Sequence, residues 1–267
     1  MKPYLHRISI YPVKSLDGIS PETAVVSESG CLKWDREFAI FDKEGKYVNG
    51  KSHPGIHLLR AEFNMDDHEM VLSGPENMNR SSFHLQEDRK EIDAWLSDFF
   101  NQQVSLLQNQ EGKFMDDPDL GHVTVAGTAS FNSVSSWFSI TDPEEVRRRL
   151  RVTLEISGLD AFAEDGLFAD KGRVVRFKIG DVNMLGMRPR ERCVVPTRHP
   201  ETAQVTHAFP KIFAEKRKAS LPDASLLESY GHYYYFSVDA VIPGTEAGKL
   251  IKVGDELTIL GEDEFPF

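Results

Sequence analysis

Arg190-Glu191-Arg192-Cys193-Val194-Val195-Pro196-Thr197 is the stretch on which the reading of this chain turns. Cys193 is one of only two cysteines, the other being Cys31. A thiol flanked by arginines favours its thiolate, as a nucleophile or as a soft metal ligand. Two cysteines cannot frame a disulfide scaffold, and an iron–sulfur centre needs about four ligands. Sulfur chemistry therefore concentrates on Cys193. Cys31, between Gly30 and Leu32, reads as a packing residue.

Around that stretch the pattern is mostly strand. Residues 152–156, 173–179 and 182–186 precede it as strand candidates, and residues 233–238 and 250–260 follow it. Between them, residues 209–218 are basic and amphipathic, which suits a solvated helix face, a lid or a partner surface. Further back, residues 130–138 read as a helix, and Asp142 caps a short one with Pro143 in its first turn. The first third is a series of short strands at 5–10, 23–26, 37–41, 56–63, 69–72 and 82–85. A hairpin turn at 42–46 returns through Tyr47-Val48. A helix follows, capped by Asp88 with Glu91 at the third position and carrying Ile92, Trp95, Leu96 and Phe99 or Phe100 on one face; residues 104–107 return to strand. Residues 109–121 are polar and turn-rich, the best candidate for a boundary or functional loop. The fold class expected is mainly β with a few packed helices, α+β, because the strands are too short for regular α/β alternation.

Composition narrows the function. The 267 residues suffice for a substantial core, in one domain or two. A net charge of -11 argues against nonspecific binding to nucleic acid or an anionic membrane, since both need a concentrated positive field. A local basic pocket is still compatible with it. No run approaches the roughly 18 apolar residues of a membrane span. The start, Met1-Lys2-Pro3-Tyr4-Leu5, reads as a first strand, not a signal peptide. A monomeric cytoplasmic protein is expected. The histidines, among them His53, His57, His122, His199, His207 and His232, show no zinc-ligand spacing. Neither a phosphate-cradling glycine loop nor a nucleophile elbow is present.

Several segments together resemble the molybdenum-cofactor sulfurase C-terminal (MOSC) domain family with its N-terminal β-barrel partner, and look similar to the mitochondrial amidoxime-reducing component and bacterial counterparts. The resemblance runs through Ile10-Tyr11-Pro12-Val13-Lys14-Ser15, Trp34-Asp35-Arg36, Phe162-Ala163-Glu164-Asp165 and Ile179-Gly180-Asp181-Val182. It peaks at Arg192–Thr197 with Pro200-Glu201-Thr202, and closes at Ile251-Lys252-Val253-Gly254-Asp255. Each piece is weak alone; their order along nearly the whole chain makes the set specific. It implies a MOSC-type β-barrel core at 116–267 and a β-barrel-like N-terminal domain at 1–115.

The resemblance also implies a pterin-bound molybdenum, the molybdenum cofactor, with Cys193 as the protein ligand and catalytic residue. Lys14 and Ser15 match residues at the pterin's phosphate end, and Arg36 a second phosphate or pterin contact. Arg151, Thr153, Arg192, Thr128, Ser130 and Tyr233 complete the expected cofactor-binding set. Two departures stand out. Thr153 replaces an asparagine, and Glu191 replaces a serine; a carboxylate there repels phosphate or thiolate unless Arg190 or Arg192 pairs with it. The activity implied is an oxidoreductase acting on a small N-hydroxylated or N-oxide substrate. Its electrons would come from a separate donor protein of ferredoxin, flavin or cytochrome type. Two other readings stand beside it: a cofactor carrier or sulfur-transfer protein with a persulfide on Cys193, and a MOSC-like scaffold without cofactor.

Overall fold

The computed structural model describes residues 2–75, 78–111, 113–117, 119–222 and 225–264. Its central feature is a seven-stranded sheet whose members come from both ends of the chain. In spatial order they are β1 (Tyr4–Ile8), β9 (Leu154–Ser157), β8 (Val123–Gly127), β12 (Tyr235–Val241), β11 (Val182–Glu191), β10 (Arg173–Ile179) and β14 (Leu257–Glu264). Every pairing is antiparallel except β8 with β9. Burial follows the strand period: in β10, Val175, Phe177 and Ile179 point inward while Arg176 is exposed. Gly186 in β11 has a specific cause. A Cβ there would lie 1.7 Å from the Leu167 carbonyl oxygen, so only glycine lets that backbone approach.

Smaller sheets complete the β structure. β2 (Thr23–Val25) pairs with β13 (Leu250–Lys252), β3 (Phe38–Asp42) with β7 (Val104–Gln108), and β4 (Arg60–Asn64), β5 (Glu69–Ser73) and β6 (Ser81–His84) form a three-stranded meander. Four helices pack around them: α1 (Arg89–Phe100), α2 (Thr128–Trp137), α3 (Pro143–Leu150) and α4 (Phe209–Ala219). The result is a mainly β, α+β fold, as expected.

One hydrophobic core lies on the seven-stranded sheet and includes Leu5, Ile8, Ile10, Ala24, Val26 and Leu32 beside Val125, Phe177 and Val238. A second, built from Val13, Phe38, Ile40, Ile92, Leu96 and Leu106, belongs to the first 106 residues alone. Trp34 and Ile19 pack against both. Packing therefore crosses the division expected at 115/116, because the first strands are built into the later sheet.

Several local expectations need correction. Residues 56–63 are not one strand: Pro54–Leu58 forms a 3-10 turn that buries Ile56, and strand begins at Arg60. The turn at 42–46 does return through Tyr47-Val48, with Asp42 N–H donating to Lys46 O at 3.0 Å and Val48 N–H to Ile40 O at 2.9 Å. The return is only an isolated bridge of Tyr47 to Phe41, however, and the strand partner of β3 is β7. Asp88 sits at the N-cap of α1, but its carboxylate accepts from the His84 N–H at 2.7 Å and caps nothing in the helix. Asp142 does cap α3, accepting from Glu144 N–H at 3.0 Å. Residues 250–260 split into two strands at the Gly254-Asp255 turn. The central strand β8 had no counterpart in the sequence reading. Helix α4 buries Phe209 and Phe213 in a third core, with Arg217 buried on the same side, and leaves Lys211, Lys216 and Lys218 exposed, so it keeps the expected solvated basic face and is not a lid. Gly112 and Pro118 of the turn-rich segment lie outside the described residues.

The Glu164-Asp165 pair is structural in its contacts. Arg217, buried, is paired with Asp165, and its guanidinium lies 4.1 Å from the Phe162 ring centroid. Buried Glu164 accepts from Ser130 Oγ at 2.7 Å, and its other oxygen has no partner among the described residues. Burial pushes its carboxyl up to about 7, with Asp165 adding to the rise. In the unfolded chain it ionises at about 4.5. The folded state thus holds a proton the unfolded state has lost, and stability falls as pH rises from about 4.5 to 7. At 1.36 kcal/mol per pKa unit, the loss is about 3 kcal/mol. Glu164→Gln should remove this slope, so its advantage over the parent grows by about that amount from pH 4.5 to 8 in chemical denaturation. Parallel stability curves for the two proteins would contradict the assignment.

Candidate functional site

A single cleft gathers Tyr11, Lys14, Ser15, Arg36, Arg151, Thr153, Arg192 and Cys193. These residues are spread over 183 positions of sequence, and the topology explains why they meet. The loop after β1 carries Tyr11 to Ser15, the turn before β3 carries Arg36, the end of α3 carries Arg151, and the exit of β11 carries Arg192 and Cys193. The walls contain nine lysines and arginines against two aspartates, in a protein whose net charge is -11. Such a concentration of one sign favours the approach of anions.

The backbone is bent to aim these side chains. Arg151 ends α3 in the left-handed region, φ 51°, with its N–H bonded to Arg147 O. Glycine is the usual occupant of such a position. Arg36, φ 49°, and Ser15, φ 75°, are also left-handed. Strain of this kind, about 1 kcal/mol or more per residue, persists where the surroundings hold it and gathers at functional sites.

What holds the cations matters as much as their number. Arg151 donates to Leu16 O at 2.7 Å and Arg192 to Leu150 O at 2.6 Å. Neither makes a salt bridge to a described carboxylate, and Arg192 Nε is buried without a partner among the described residues. Burial lowers the pKa of both guanidiniums, with repulsion from Arg36 and Arg190 respectively adding to the effect. Carbonyl partners orient a cation without neutralising it, so its charge stays available to a ligand. Arg36 differs: it pairs with the buried Asp35, whose carboxylate also accepts from Tyr11 N–H at 2.9 Å. Thr153, buried, accepts from Arg36 at 3.4 Å and lies 3.4 Å from the Thr124 hydroxyl. It contributes a hydroxyl where an amide was expected.

Glu191 does not confront the cysteine. Its carboxylate is exposed and meets His232 Nε2 at 3.2 Å, and it is absent from the cleft lining. The expected partners, Arg190 and Arg192, go elsewhere. Arg190 bonds Asp239 and Asp116, at 3.2 and 3.1 Å. Strand alternation at the end of β11 turns Glu191 away from the wall that Arg190 and Arg192 share.

Three expected contacts are not brought to the cleft. Thr128 donates to Ile156 O at 3.3 Å and Ser130 is buried against Glu164. Tyr233 packs on the main core, with Lys218 over its ring. The tyrosine that reaches the cysteine loop is its neighbour: Tyr234 OH donates to Cys193 O at 3.2 Å. Cys193 itself is half-buried in the cleft, whereas Cys31 is buried and its thiol is pushed up to about 11 by burial, then by Asp35.

Other lining residues were not foreseen. Arg148 and Arg149 belong to an arginine run that, in the last turn of α3, reads as compensation of the helix dipole. Arg148 instead spans to Asp17 at 3.3 Å, and Arg60 meets the same carboxylate at 3.0 Å. His57 lies in the lining with its imidazole lowered to about 4 by burial and by Arg151, Arg198 and Arg149. Asp116, from the turn-rich segment, accepts from Lys14 at 2.7 Å, and Lys14 also donates to Phe114 O at 2.7 Å. Burial works against ionisation of Asp116, but Lys14, Arg190 and Arg36 outweigh it and hold the carboxyl well below the usual range.

Residues 2–140 match the family of the MOSC N-terminal beta barrel domain, more than half the chain, and the protein belongs to that family. Molybdenum cofactor sulfurases 3 and 1 of Aedes aegypti are each 34% identical over 74 residues. That stretch is 28% of this chain but only 10% of either relative, so the chain corresponds to a small part of those proteins. The solved YUAD protein from Bacillus subtilis aligns over 98% of this chain and 95% of its own, at 12% identity and a TM-score of 0.39, a likeness too distant to carry weight. Among the described residues no helix is long and apolar enough to cross a membrane.

Asp116 offsets the charge of Lys14, which has no other carboxylate partner among the described residues, and part of that of Arg190, which also pairs with Asp239. Asp116→Asn should therefore tighten binding of sulfate, an anion that does not titrate near neutrality, by about threefold to tenfold, or about 0.7–1.4 kcal/mol. Calorimetric titration at low ionic strength checks this. Weaker binding would mean that Asp116 instead holds Lys14 in place for the ligand.

Proposed function

We propose that this protein binds the molybdenum cofactor in the cationic cleft, with Cys193 as protein ligand to the metal. We take it to reduce small N-hydroxylated or N-oxide-type substrates with electrons from a separate donor protein. The observation that carries this reading is the meeting of Cys193 with Lys14, Ser15, Arg36, Arg151, Thr153 and Arg192 in one cleft.

The donor set suits the group. A thiolate is a soft ligand appropriate to a metal already bound by sulfur. Arg151 and Arg192, held by carbonyls, keep their charge for an anionic ligand, and Glu191 faces solvent. The cofactor supplies the two-electron redox chemistry. The chain supplies the rest. Lys14 and Ser15 would hold the phosphate end, the three arginines the anionic body, and the Thr153 hydroxyl a heterocycle edge. Tyr234 fixes the cysteine loop through its bond to Cys193 O. Removal of one oxygen as water consumes two electrons and two protons, and solvent reaching the open cleft can furnish the protons.

A second reading has its own support. The relatives from Aedes aegypti are named as molybdenum cofactor sulfurases. In that reading Cys193 takes sulfane sulfur from a persulfide donor, passes that outer sulfur to a nucleophilic acceptor and leaves as the thiolate.

Metal analysis separates the two. Protein purified from a host that makes the cofactor should carry about one molybdenum per chain and lose it in Cys193→Ala, while Cys31→Ala retains it. Such protein should reduce an amidoxime when given a low-potential chemical reductant. Persulfide labelling confined to Cys193, with molybdenum absent despite an intact cofactor supply, would transfer support to sulfur handling. Absence of both would refute both.

A further inference from the structure

Tyr11 is absent from the expected cofactor-binding residues, yet two cleft arginines rest on its ring. The Arg151 guanidinium carbon lies 3.9 Å from the ring centroid and that of Arg36 lies 4.8 Å away. Both distances fall well inside the range in which a cation is attracted to the negative face of an aromatic ring. The ring is itself fixed. Tyr11 is only 6% exposed, its N–H donates to Asp35, and its carbonyl accepts from Arg36 N–H at 2.8 Å.

The alternatives show why a ring belongs there. Two guanidiniums held near one another repel. Arg36 already has the Asp35 carboxylate, and a second one between the pair would cancel the charge that Arg151 keeps for a ligand. An aromatic face attracts both cations while carrying no net charge. Arg151 depends on this most. Besides the ring, the one hydrogen-bond partner of its side chain among the described residues is the Leu16 carbonyl, and it sits on a left-handed residue that offers no regular helix to brace it.

We infer that Tyr11 is a positioning residue of the cleft, whose ring face holds Arg151 and Arg36 in the orientation that receives the anionic part of the ligand. The inference rests on the cleft taking an anionic, phosphate-bearing ligand, as proposed above, but not on the presence of molybdenum. It assigns the work to the ring face and not to the phenol hydroxyl. It also predicts that Tyr11 acts through the arginines.

Inorganic pyrophosphate, titrated calorimetrically into the full chain at low ionic strength, provides the probe. Tyr11→Phe should bind within about twofold of the parent, because the ring face is kept. Tyr11→Leu should lose about tenfold in affinity. In an Arg151→Ala background the Tyr11→Leu loss should shrink to about threefold or less, since its main client is gone. Thermal unfolding of each variant accompanies the titration, and rescue by phenylalanine separates positioning from general destabilisation. The inference is overturned if Phe and Leu lose affinity equally, if Leu binds like the parent, or if the Leu loss is undiminished without Arg151. Failure of the parent itself to bind pyrophosphate would overturn the anion-cleft reading and this inference together. Parent binding with no Tyr11 effect would overturn the inference alone.

Discussion

The constraint that organises this molecule is like-charge repulsion. Nine cationic side chains line one cleft, and only a scaffold that over-determines each of them can keep them there. The structure divides the problem. Arg36, Arg60, Arg148 and Arg190 are tied to carboxylates that brace the walls, through Asp35, Asp17 and Asp239. Arg151 and Arg192 are tied to carbonyl oxygens instead. The first group gives rigidity; the second group retains charge. Burial disfavours an unpaired cation, and an anionic ligand is the natural remedy.

The cleft lies where the two halves of the chain are tied across one another. Asp17, from the loop before β2, joins Arg60 of the meander to Arg148 of α3. Arg60 also donates to Pro200 O at 2.9 Å, just beyond the cysteine loop. Lys14 is fastened to Phe114 and Asp116. Each of these bonds crosses between segments far apart in sequence, so site geometry and the register of the two cores are coupled. A change in packing that shifts one core against the other would move Cys193 relative to Lys14 without touching either residue.

Much of this was legible before the structure. The strand β10 is bounded as its alternation suggests, and Lys14, Ser15, Arg36, Arg151, Thr153, Arg192 and Cys193 meet as the motif order implies. What escaped was tertiary in origin. β8 reads poorly because Val123-Thr124-Val125-Ala126-Gly127 is short and runs straight into α2. Residues 56–63 have strand-like composition, but Pro54 starts a tight turn that spends the first half of the run. Ser130 carries a hydroxyl of the right kind, and only packing reveals that Glu164 claims it. Among adjacent tyrosines the register depends on where β12 begins, and that start at Tyr235 leaves Tyr234 beside the cysteine loop. Glu191 looked like an obstacle because charge in a sequence has no direction, whereas a strand has two sides.

The pairing of β1 with β9 and of β2 with β13 has a consequence for how the molecule is made. The first strands find their partners only after residues 157 and 252 have been synthesised. The core built within the first 106 residues can form early, from contacts close in sequence. The seven-stranded sheet must wait for nearly the whole chain to emerge. During synthesis the segment bearing Lys14 is therefore attached to a folded unit while the wall bearing Cys193 does not yet exist. The cleft cannot be complete until the segment through Pro200 has emerged, and a nascent chain stopped before it would carry the Lys14 loop without the wall that bears Cys193.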